Sequence, residues 1–210
     1  MRKLSLSLIG LGILMLIAVI LVTGHKAVKQ TNPTNQQTVA TITKKRPNQS
    51  TNGKAIVIYM THTGNTEAVA KTIQQQVGAD SFRLRTKETY PTSYQKMLKV
   101  ARAEQNSDAR PELSGRLPDL KKYTYIFLGY PIWLNKNPMA INTFLSHYSS
   151  FKGKTILPFT TSGSSGLGAS LPELKQQAKH ATFRSGLAIT DSQLADRAQL
   201  VKTWLKRNKF

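Results

Sequence analysis

A short apolar run, a hydroxyl-rich turn and the opening of a helix, in that order, limit this chain more than any other feature. Positions 55–60 read Ala-Ile-Val-Ile-Tyr-Met, an apolar stretch rich in β-branched residues that predicts a buried strand. Thr61, His62, Thr63, Gly64, Asn65 and Thr66 follow, and Val69, Ile73 and Val77 then fall on one helical face. A turn in this position suits an anion, because the helix-start amides and the positive end of the dipole point at it. Thr61, Thr63 and Thr66 add hydroxyl donors, and Gly64 allows close backbone approach. No Lys or Arg stands in the turn, so a phosphate would be held by neutral dipoles. That suits a small, enclosed phosphate rather than a nucleoside triphosphate with its magnesium. Neither G-x-x-x-x-G-K-S/T nor a G-x-G-x-x-G after a strand occurs. The plainer reading of the same residues is a helix cap, since Thr and Asn are favoured there.

Beyond the turn, short apolar runs alternate with helix-period segments, the mark of βαβ units on a parallel sheet. Positions 81–85 alternate like an edge strand, and a polar helix opens after Thr92 or Ser93 and runs to about Gln105. Positions 125–129 and 155–160 read as further central strands, although Pro158 implies a bulge or an approaching strand end. A helix starts at Asn137-Pro138, with Pro at its favoured first position, and another spans 171–180. Positions 183–189 give a last strand, and Asp191 or Ser192 caps a terminal helix ending near Arg207. The expectation is an α/β fold: a five-stranded parallel sheet, doubly wound in the order 2-1-3-4-5, with helices on both faces. Its ligand crevice lies beyond the carboxyl ends of the first and third strands.

Two more loops should face that crevice. One holds Pro131, Ile132, Trp133, Leu134 and Asn135, with Trp133 at the rim, where an indole can stack on a flat ring. The other holds Thr161, Ser162, Gly163, Ser164 and Gly166, whose backbone donors can reach the edge of a ring system. A core-capping Trp and a flexible linker are the plainer alternatives. The chain nevertheless carries Thr61-x-Thr63-Gly64-Asn65-Thr66, Tyr90-Pro91-x-x-Tyr94, Arg110-Pro111-Glu112-Leu113, Tyr130-Pro131-Ile132-Trp133, Pro138-Met139 and Pro158-Phe159-Thr160-Thr161-Ser162-Gly163.

Together these residues resemble the flavodoxin superfamily, and within it the short bacterial flavodoxin-like group with a Y-P-I-W signature. The resemblance spans essentially all of residues 54–210. It implies non-covalent FMN, with the phosphate on residues 61–66 and the isoalloxazine against 131–133 beside the 161–166 loop. Members often carry Gly after the Trp, where this chain has Leu134 and Asn135; Asn tolerates the left-handed backbone a Gly would supply. In such a protein the flavin does the chemistry, so no catalytic acid, base or nucleophile is nominated. The implied activity is electron transfer, as a one-electron shuttle for a redox protein or quinone. An FMN-dependent NAD(P)H:quinone oxidoreductase is the alternative, disfavoured by the lack of a nicotinamide fingerprint. A serine hydrolase built from Ser164 or Ser165 with His180 and Asp191 lacks the G-x-S-x-G elbow. The four histidines show no metal-ligand spacing.

Upstream, positions 4–22 form an apolar run of 19 residues behind Met1-Arg2-Lys3. That is close to the roughly 20 needed to span a bilayer and longer than an ordinary signal-peptide core. Residues 1–23 are therefore expected to be a membrane anchor, or a cleaved signal. Residues 24–53, rich in Thr, Asn, Gln, Lys and Pro, should be a disordered tether, and 54–210 the folded domain. Lys and Arg number 30 against 10 Asp and Glu, a net charge of +20. Such a balance commonly means nucleic acid, but the basic residues are scattered and no nucleic-acid motif accompanies them. For an extracytoplasmic, membrane-tethered domain the fitting polyanion is the membrane surface or an anionic cell-wall polymer. A flavin-free module binding that polymer is the rival from another class. With no cysteine, the chain uses no disulfides.

Overall fold

Val57 and Ile58 have no exposed surface in the computed structural model, which describes residues 53–210. They belong to β1 (Ala55–Tyr59), paired in parallel with β2 (Asp80–Arg83) on one side and β3 (Tyr125–Pro131) on the other. β4 (Thr155–Ser162) pairs with β3, and both β5 (Thr182–Phe183) and β6 (Leu187–Thr190) pair with the outer edge of β4. The order is β2-β1-β3-β4-β5, with every pairing parallel, as the sequence predicts. The anchor expected at 1–23 and all of the tether but Gly53 lie outside the described residues.

β1 and β3, at the centre of the sheet, are almost wholly apolar because both of their faces are covered. Ala55, Val57, Phe127, Leu157 and Phe159 pack with Val69 and Ile73 of α1 (Asn65–Val77) and with Val201 and Trp204 of α5 (Arg197–Arg207). Ile56, Ile58, Ile126, Leu128 and Ile156 pack with Met97 of α2 (Tyr94–Asn106), Phe144 of α3 (Met139–Ser146) and Leu174 of α4 (Ser170–Gln177). Each large side chain buried in these layers contributes about 1.5–3 kcal/mol. Gly129 is required by packing: a Cβ there would lie 2.1 Å from the ring of Phe159, its neighbour across the ladder.

The last strand departs from expectation by breaking in two. Ile156 pairs with Phe183 and Phe159 with Leu187, so the outer strand spends one extra residue. Ile156 accepts from the Arg184 amide at 3.0 Å, which turns residues 156, 158 and 160 of β4 toward that edge. Pro158 brings no N–H there, and the partner strand bulges opposite it. Pro158 thus acts on its neighbour while β4 itself continues to Ser162.

The helix ends also shift. Thr190 and Gln193 form a capping box that closes one 3-10 turn, Asp191–Gln193, and α5 begins only at Arg197. Pro138 is the cap of α3 rather than its first residue.

The strand ends that matter are level with one another. Met60 donates to the Gly129 carbonyl at 2.9 Å, Leu84 to Tyr59 at 2.7 Å, and Ile132 to Thr161 at 2.9 Å. Hydrogen bonding therefore holds β1, β3 and β4 in register up to the residues where their loops emerge. Those loops leave from a single edge of the sheet.

Candidate functional site

The turn after β1 takes its shape from two of its own residues. Gly64 has φ +97° and serves as the helix cap, and its amide donates to Thr61 Oγ1 at 3.1 Å. No side chain caps the helix, and Thr63 is exposed beside it. Thr66 is buried, and its hydroxyl shares a 2.7 Å hydrogen bond with that of Thr161, tying α1 to the end of β4. Asn65 donates its side-chain amide to Asp191 Oδ1 at 3.0 Å, joining the same turn to the end of β6.

After β3 the chain reverses over Trp133 to Lys136, whose backbone groups exchange two hydrogen bonds of 2.9 Å. Leu134 and Asn135 both take left-handed conformations, φ +49° and +67°. For a leucine that costs roughly 1–2 kcal/mol, so neighbours must hold it. The Gln105 side chain donates to the Trp133 carbonyl at 3.1 Å, and the Ala169 amide donates to the Asn135 carbonyl at 2.8 Å. Gly168 makes the second contact possible, since a Cβ there would stand 2.6 Å from that carbonyl.

The loop after β4 is folded on itself. Thr160 Oγ1 donates to the Gly166 carbonyl at 2.8 Å, and the Gly166 amide donates to Ser162 Oγ at 3.1 Å. The hydroxyl of Tyr130 meets Ser170 Oγ at 3.0 Å beneath it.

Between the three loops lies an open cleft of about 280 Å³. Of the residues singled out in the sequence, His62, Thr63, Asn65, Pro131, Ile132, Trp133, Thr161, Ser162 and Gly163 line it. Thr61 lines a neighbouring cavity instead. Gly64 and Thr66 shape the first turn, Leu134 and Asn135 shape the second, and Ser164 and Gly166 belong to the third loop away from the cleft lining.

Three lining residues were not anticipated: Tyr94, Met97 and Asp191. Asp191 reads as a cap in the sequence, yet it follows the last strand and so belongs to the crevice edge. Tyr94 stands inside the Tyr90-Pro91-x-x-Tyr94 motif, and at 64% exposure it is the one large exposed hydrophobic residue among those described. Trp133, expected at an open rim, is only 4% exposed. Its ring meets Tyr90 at 4.8 Å and His62 at 5.8 Å, both edge to face. The aromatic surface open to a ligand is therefore that of Tyr94.

Behind Trp133, Tyr90 donates its hydroxyl to Glu104 at 2.8 Å. Burial pushes both groups up from their ordinary values, the Tyr90 phenol strongly and the Glu104 carboxyl despite that hydrogen bond. The hydrolase set is not assembled: His180 precedes β5, at the amino end of the sheet, while Asp191 follows β6 at the other end.

The sequence model of a family described as flavodoxin matches residues 54–208. No curated protein matches. Among solved structures, a protein of Bacteroides uniformis regarded as a flavoprotein is 30% identical; the match covers 71% of this chain and 98% of that one, TM-score 0.63. A Bacteroides eggerthii protein regarded likewise is 28% identical over 76% of this chain and 99% of that one, TM-score 0.67. A Lactobacillus acidophilus flavoprotein solved in complex with FMN shares the fold at 18% identity, covering 70% and 99%, TM-score 0.59.

Proposed function

The chain belongs to the flavodoxin family, and from that premise we propose that residues 54–210 bind FMN in the cleft between His62, Trp133 and Ser162 and shuttle single electrons between redox partners. The observation that carries this reading is the convergence of three loops, from β1, β3 and β4, on one open cleft. The residues fit the group. No atom lies within 4 Å of where a Cβ on Gly64 would stand, so a phosphate can approach the uncapped start of α1. Thr63 and the Thr66–Thr161 pair supply hydroxyls beside it. Half-buried Pro131 and Ile132 offer an apolar wall, and Tyr94 an open ring.

Bound there, FMN supplies a ring that takes up and returns electrons. The chain's own residues orient it, keep water from one side and set the local field. The surplus of Lys and Arg favours acidic redox partners or an anionic membrane surface. We assign residues 1–23 to a membrane anchor and 24–53 to its tether, with the domain outside the cytoplasm.

Adding FMN to the full-length protein should give a yellow 1:1 complex with quenched flavin fluorescence. Tyr94→Ala should weaken it several-fold, and failure to bind at saturating FMN would remove the proposal. Steady NAD(P)H oxidation with a quinone would instead identify a quinone oxidoreductase. Deleting residues 1–23 should release the protein from the membrane fraction.

A further inference from the structure

A second cavity, of about 260 Å³, opens on the far side of His62, toward the end of β2. Arg83 and Arg85 line it together with the hydroxyl-bearing Thr61, Thr86 and Thr89, and no carboxylate does. Two cations beside it are paired: Lys71 with Glu67, and Lys87, the residue after Thr86, with Glu112. Arg83 gives one terminal nitrogen to Glu67 at 3.0 Å, but its Nε is buried without an acceptor. Arg85 is exposed, and among the described residues its side chain makes no ion pair or hydrogen bond. A concave surface lined by two guanidinium groups, one without an ion pair and one shared with Glu67, and by no carboxylate concentrates anions. The guanidinium fork suits the paired oxygens of phosphate or carboxylate.

We propose that this cavity is an anion subsite that seats the phosphate, sulfonate or carboxylate group of the small redox reactant served by the adjoining cleft. Its anion-binding part stands on the cavity alone; the link to electron transfer rests on the flavin reading above. Because His62 lines both spaces, a reactant anchored by its anionic group at Arg85 projects its remaining atoms past one side chain toward the cleft. The volume accommodates such a head group and leaves the rest of the molecule outside.

Pyrophosphate titrated calorimetrically into the FMN-loaded, full-length protein should bind saturably at one site without releasing FMN. Arg85→Gln should weaken it about tenfold and Arg85→Lys less, with FMN affinity unchanged within twofold. Displacement of FMN would put pyrophosphate on the turn after β1 and overturn the proposal. Affinity insensitive to Arg85→Gln would do the same, by leaving only diffuse binding to a basic surface. If the chain takes no FMN, the titration is run on the chain as purified; an Arg85-dependent site there preserves the subsite while the flavin reading falls. For the redox link, the reduced flavoprotein is oxidised by a sulfonated quinone and by its uncharged parent. Arg85→Gln should slow the first several-fold and the second by less than twofold; equal slowing of both would break the link.

Discussion

The loops after β1 and β3 flank the same cleft and reach their shapes in opposite ways. The first places Gly64 at its left-handed position and closes on its own Thr61. The second places Leu134 and Asn135 at left-handed positions and is held by groups from α2 and from the segment before α4, Gln105 and Ala169. A loop of the first kind is written in its own six residues. A loop of the second kind is imposed from outside, and its geometry is as sound as the contacts that impose it. The two should therefore answer differently to substitution.

Trp133→Ala should do most damage, since it empties a buried indole site that touches Tyr90 and His62. The loss should be about 3–5 kcal/mol by chemical denaturation, with FMN binding lost as the imposed loop relaxes. Gly168→Ala comes next. It combines φ +54° with a Cβ only 2.6 Å from the Asn135 carbonyl, and should cost about 2–3 kcal/mol. Gly64→Ala meets no atom within 4 Å despite φ +97°, so it should cost only about 1–2 kcal/mol. Equal losses at the two glycines would show that the second loop is not held through Gly168.

The smallest effect concerns the ground behind Trp133. Burial raises the Glu104 carboxyl above its ordinary 4.5, so the folded state holds that proton more tightly than the unfolded chain. Stability from this group is complete below pH 4.5 and declines as pH rises through the folded value. Glu104→Gln keeps an acceptor for Tyr90 and removes the titration. Its stability relative to the parent should grow with pH over that window, as followed by denaturant midpoints.

The sheet was legible because a strand buried on both faces is largely apolar, and 55–60, 125–129 and the centre of 155–160 are of that kind. The outer strand was not, because its break comes from a missing donor on Pro158 of the adjacent strand, a pairing effect that a linear pattern does not carry. The first turn was legible in outline, as a strand, a glycine-bearing turn and a helix start, whereas the partners of Thr61 and Thr66 were not. Tyr94 and Asp191 were not, for a different reason. Asp191 sits where a capping role already explains it and Tyr94 at the first position of a polar helix, and only the landing of α2 and the close of β6 put them on the cleft. The Asn65–Asp191 bond joins residues 126 apart, beyond the reach of any local spacing rule. Trp133 was read from its loop position, whereas its burial depends on Tyr90 and His62 closing over it.

The notch that Pro158 cuts in the outer strand bears on how such a protein behaves when crowded. An intact border strand offers its free amides and carbonyls as a template on which another chain can zip up. Here that border is two pieces of 2 and 4 residues with a kink between them. Copies held close together at a surface would find no continuous ladder to extend along that border.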